Sequence, residues 1–136
     1  MTLGPAALAA ALCPALLPVA ALGCTPPLQG RGVQAVEGRG FVVAWRAPAP
    51  LPLAEIFSLD FAACARDGRP FDTPRIDATM PEHGHGMNYR PRVESLGGGR
   101  FRASGLLLHM PGRWQLSVSL GSGVRGETLH APLTVD

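Results

Sequence analysis

Between Trp114 and Leu120 every second residue is large and apolar: Trp114, Leu116, Val118 and Leu120 alternate with Gln115, Ser117 and Ser119. A period of two marks a strand with one buried face and one wet face, and Pro111-Gly112 just before it marks a turn. The pattern recurs upstream. Phe41–Arg46 places Phe41, Val43 and Trp45 on one side, Ile56–Ala63 places Phe57, Leu59 and Phe61, and Arg75–Met80 places Ile76, Ala78 and Met80. In Phe101–Met110 simple alternation breaks, with Phe101 and Ala103 in one phase and Leu106, Leu108 and Met110 in the other. A bulge at Gly105 brings both sets to one core. The last strand turns Leu129, Leu133 and Val135 inward and leaves His130 on the polar side. With seventeen Gly and fourteen Pro in 136 residues, the chain is punctuated for short strands rather than long helices. The expected fold is all-β, an immunoglobulin-like β-sandwich of six or seven short antiparallel strands.

The length fits one domain. Residues 1–23 carry no charged side chain and read as an export signal with an apolar stretch from Leu3 to Leu22. Its end, Ala20-Ala21-Leu22-Gly23-Cys24, resembles a bacterial lipobox, which implies that Cys24 is lipidated and becomes the mature N-terminus. The expected location is then the periplasmic side of the cell envelope, anchored to the membrane through lipid. Cys13 leaves with the signal, and Cys64 remains as a small buried hydrophobe. If Cys24 carries no lipid, it can instead pair with Cys64 in an oxidising compartment. Residues 24–40, rich in Pro and Gly, read as a flexible tether, and residues 41–136 as the folded domain.

The chemistry concentrates in Met80-Pro81-Glu82-His83-Gly84-His85-Gly86-Met87. Six of the seven His and non-initiator Met residues lie between Met80 and Met110: Met80, His83, His85, Met87, His109 and Met110. Thioether sulfur is a soft neutral donor suited to Cu(I), and imidazole binds Cu(I), Cu(II) or zinc. A Met/His set without thiolate points to copper, Cu(I) ahead of Cu(II), because structural zinc sites are usually built from Cys and His. In an extended segment His83, His85 and Met87 share one side, and His109 is a candidate fourth ligand from another strand. Met80 and Met110 are further sulfur donors, but each also fits the core, Met80 on the Ile76/Ala78 face and Met110 beside Trp114.

These residues carry a family resemblance. The Met80–Met87 run, then Gly99-Arg100-Phe101, then Leu108-His109-Met110-Pro111-Gly112-Arg113-Trp114-Gln115-Leu116, resembles the YtkA-like family, with a looser likeness to FixH-like proteins. The resemblance covers about residues 40–136. It implies a small exported β-sandwich in a copper-handling or cytochrome-oxidase-assembly setting, with Met110-Pro111-Gly112-x-Trp114 as a strand signature of the fold.

The expected function is that of an exported copper-binding accessory protein, a copper chaperone that transfers or buffers Cu(I). Its partner would be a copper-donating or copper-receiving envelope protein. A non-metal interaction module of an envelope complex is the alternative. An enzyme is not expected: there is no Gly-x-Ser-x-Gly elbow and no His beside Cys64 in sequence. A net charge of +2 gives no argument for a nucleic-acid partner.

Overall fold

The computed structural model describes Met1 and residues 23–136. The expected export leader, with Cys13, therefore lies almost wholly outside the described residues. Among them nine strands form: β1 (Gln34–Glu37), β2 (Phe41–Arg46), β3 (Phe57–Ala65), β4 (Arg75–Met80), β5 (His85–Gly86), β6 (Arg92–Gly97), β7 (Arg100–Leu106), β8 (Gly112–Ser122) and β9 (Arg125–Val135). A short 3-10 turn, Pro81–His83, follows β4. One sheet has the order β1-β2-β3-β7-β6 and the other β5-β4-β8-β9. Every pairing is antiparallel. Strands β2-β3-β7-β6 facing β5-β4-β8-β9 reproduce the strand order of an immunoglobulin-like sandwich, with β1 added outside. Among the described residues no helix is long and apolar enough to cross a membrane.

The alternation of β8 fixes the register of its sheet. Val118 pairs with Ile76 and Leu129, and Leu116 with Ala78 and Ala131. All are buried, so a slip of one residue would turn the whole face to water. From the opposite sheet Val43, Trp45, Leu59, Phe61, Phe101 and Ala103 close the core. The Phe61 and Phe101 rings stack at 5.1 Å. The bulge expected at Gly105 is present. Ser104 pairs with Ser58, Leu106 pairs with Phe57, and Gly105 stands between them at φ +82°. The extra residue resets the phase, so that Phe101, Ala103, Leu106 and Leu108 are all buried.

Two expectations about the N-terminal part are corrected. Residues 24–40 are not a free tether. Leu28 is 7% exposed and packs with Val33 on Ala44 and Ala62, covering the outer face of the five-stranded sheet. Strand β1 extends that sheet against β2. The following turn is tied down twice: the Arg39 and Gly40 N–H groups donate to the Glu127 carboxylate, and Arg66 donates to the Gly38 carbonyl and to Glu37. This cover explains why β2 is buried on both faces. The second correction concerns Cys24. Its sulfur is bonded to that of Cys64, with the Cα atoms 5.9 Å apart, inside the usual disulfide range. This is the pairing that the sequence left open for a Cys24 without lipid.

The bridge closes a loop with a sequence separation of 40, which removes up to about 4 kcal/mol of unfolded-chain entropy. Replacing both Cys24 and Cys64 with Ser should lower the unfolding free energy by about 2–4 kcal/mol in chemical denaturation. An unchanged midpoint would show that the strap contributes nothing to the domain.

Candidate metal centre

The site is built where β4 ends. Pro81 opens the 3-10 turn, and Gly84 closes it in the left-handed region at φ +66°, a conformation that glycine takes without Cβ strain. The Gly84 N–H donates to the Met80 carbonyl at 3.0 Å. The chain thereby reverses, and β5 runs back along β4 with His85 opposite Met80 and Gly86 opposite Thr79. The Met87 N–H continues this pairing by donating to the Ala78 carbonyl at 3.1 Å. Residues directly opposite share a side of the sheet. His85 therefore lies on the inward side with Met80, which is 1% exposed.

The second wall comes from the β7–β8 connection. Leu108 is buried and its carbonyl accepts from the Ala54 N–H at 2.8 Å. The indole N–H of Trp114 donates to the Met110 carbonyl at 2.9 Å, which fixes the loop that carries His109. Gly112 keeps the loop close to the core, since a Cβ there would come within 2.8 Å of the Met80 Cε.

These supports bring three imidazoles into a row. The ring centres of His83 and His85 stand 5.9 Å apart, and those of His85 and His109 stand 5.1 Å apart. The Trp114 ring presents an edge contact to both inner rings, at 6.0 Å from His85 and 5.4 Å from His109. The Nδ1 atoms of His85 and His109 are buried and, among the described residues, have no hydrogen-bond partner. An unpartnered buried polar atom costs about 1–3 kcal/mol; the Trp45 Nε1, inside the core, is the third such atom among the described residues. A metal-bound imidazole nitrogen lies about 2.0–2.1 Å from the ion, and two rings sharing one ion at a tetrahedral angle have centres about 5 Å apart. The His85–His109 spacing fits that requirement.

The candidate ligands separate accordingly. His85 and His109 form the inner pair. His83 is exposed at the rim, on the turn rather than on a strand, so the expected one-sided spacing of His83, His85 and Met87 holds only for the last two. Met87 is half-buried against the core and lines a cleft with Ile76, Asp77, Tyr89 and Val93 that contains none of the histidines. Met80 and Met110 flank the inner pair by position, Met80 opposite His85 in the sheet and Met110 next to His109 in the chain. Among the described residues no group of three or more His, Cys, Asp or Glu side chains is placed to hold a metal ion. His130 lies on the outer face, where it shares a 3.0 Å hydrogen bond with Ser117.

Two features escaped the sequence. Trp114 is a wall of the site as well as a core residue; its place right after the His109-Met110-Pro111-Gly112 turn was the available signal. Glu82 pairs with Arg113 of β8. The hydrogen bond from Arg113, and then its charge, hold the Glu82 carboxyl below the ordinary carboxylate value. No family model, curated protein or solved structure matches the chain.

Trp114 lets packing and anchoring be separated. Trp114→Ala should lower stability by about 3–5 kcal/mol. Trp114→Phe keeps most of the packing and loses the bond to the Met110 carbonyl, at a cost nearer 1 kcal/mol. Denaturation curves give both values, and His109 ring resonances should broaden in the Phe variant if the indole N–H holds its loop.

Proposed function

We propose that this chain is an exported copper-binding accessory protein that holds Cu(I) at His85 and His109 and transfers or buffers it. The observation that carries the reading is the inner pair itself: two buried, unpartnered imidazole nitrogens, one on β5 and one on the β7–β8 connection, at a ring spacing that suits one shared ion. Met80 and Met110 are the nearest sources of thioether by chain position, and thioether with imidazole is a soft-to-borderline donor set that favours Cu(I) over zinc or magnesium. Met87 joins only if the end of β5 shifts. The resemblance to YtkA-like domains points to the same chemistry. The Cys24–Cys64 bridge supports an oxidising compartment, in keeping with export to the periplasmic side of an envelope. The partner would be an envelope protein that gives or takes copper, and Cu(I) is cargo here rather than an instrument of turnover.

Competition for Cu(I) against a chromogenic chelator tests this directly. The unmodified protein should withdraw Cu(I) from the chelator and should bind Zn(II) far more weakly. His85→Ala combined with His109→Ala should abolish binding with little change in the far-ultraviolet circular dichroism. A double variant that competes as well as the parent would place the copper elsewhere or nowhere.

A further inference from the structure

We propose that His83 is the exchange ligand of this site, the imidazole through which Cu(I) enters and leaves the inner pair, and not a resident ligand. The inference rests on the copper reading above and concerns how the cargo moves. Three observations lead to it.

The first is the gradient of exposure along one row of rings. His83 is exposed, whereas His85 and His109 are half-buried with their Nδ1 atoms fully covered. The second is spacing. His83 stands 5.9 Å from His85 with the planes 30° apart, and His85 stands 5.1 Å from His109 with the planes 29° apart. The inner step suits one ion held by both rings at a tetrahedral angle, and the longer outer step suits one held at a wider angle in passing. The third is that His83 is held in place at the rim. Its turn is closed on one side by the Gly84 N–H on the Met80 carbonyl and on the other by the Glu82–Arg113 pair, which ties the turn to β8. Because Glu82 and Arg113 neutralise each other, neither leaves a net charge beside the entry to repel the cation.

A buried two-imidazole site poses a kinetic problem that this arrangement answers. A chelator or donor protein cannot reach the covered Nδ1 atoms directly, and stripping Cu(I) of all its ligands is prohibitive. Exchange must therefore be associative. The bond from copper to His83 forms as a bond to the donor's ligand breaks, and the bonds to His85 and then His109 follow. Copper remains Cu(I) throughout, and neutral imidazoles gain and lose no proton.

Stopped-flow mixing with the Cu(I)–bicinchoninate complex, and then of the loaded protein with excess bicinchoninate, measures loading and release separately. In His83→Ala both rates should fall by about tenfold while Kd stays within about twofold, since Kd is their ratio. His83→Met, which puts a thioether at the rim, should restore most of the rate. The proposal is overturned if His83→Ala weakens affinity as much as His85→Ala does, because His83 is then a resident ligand. It is also overturned if the rates do not change, or if His83→Met stays as slow as His83→Ala. If the parent protein takes no Cu(I) from the complex, the copper reading itself has failed, a result distinct from slow exchange at unchanged affinity.

Discussion

The bond from the Trp114 indole N–H to the Met110 carbonyl couples the core of this sandwich to its candidate site. Trp114 opens the strongest run of alternating apolar residues in the chain, and its ring is almost fully buried between the sheets. A buried indole N–H usually finds a partner, as that of Trp114 does and that of Trp45 does not. Here the partner is the loop that carries His109. The large apolar residue that anchors β8 thereby fixes the position of a polar ring at the open end of the fold. The edge contacts of the same indole to His85 and His109 complete the wall. Packing and site geometry are, at this end of the molecule, one structure.

The N-terminal strap applies the same economy to the other sheet. Ala44 and Ala62 lie on the outer face of β2 and β3, and would form an exposed apolar strip next to an open edge. Leu28 and Val33 cover it, the Cys24–Cys64 bridge holds the cover down, and β1 occupies the edge of β2. A domain of this size gains from such a staple, because its core is small.

The strands that pack against both sheets were legible because their alternation is enforced by burial. The limits of β2 and β4 follow from the residues alone, and the odd phase of Leu106 and Leu108 located the bulge at Gly105. Strands β1, β5 and β6 were not legible. Gln34–Glu37 and Arg92–Gly97 pair through backbone while their side chains stay largely in solvent, so no apolar pattern marks them, and β5 is only two residues long. The strap is hidden for a related reason: its dense Pro and Gly punctuation masks the two apolar residues, Leu28 and Val33, that dock it. At the site, the residue types were found but their grouping was not. The i, i+2, i+4 rule assumes continuous extension, and the turn at Pro81–His83 with its left-handed Gly84 interrupts it. His83 leaves the row of alternation and Met80 enters it through the register with His85, a long-range fact no local spacing contains.

The same break in local order bears on energy. A sandwich selected for stability alone would place apolar or fully bonded residues at the positions of His85 and His109. Two buried nitrogens without partners instead lower the stability of the free protein, by about 1–3 kcal/mol for each. The rest of the molecule can tolerate this, because β8 and β9 pair over eleven residues each and the bridge constrains the unfolded chain. A ligand that satisfies both nitrogens at once removes that penalty only in the folded state. It therefore stabilises the fold in proportion to its concentration over Kd. On the copper reading proposed above, the spacing for a shared ion is already present, with both rings in edge contact with Trp114. The stability forgone in the free state and the preorganisation available for binding have one physical origin, and it lies in the placement of two rings against one indole.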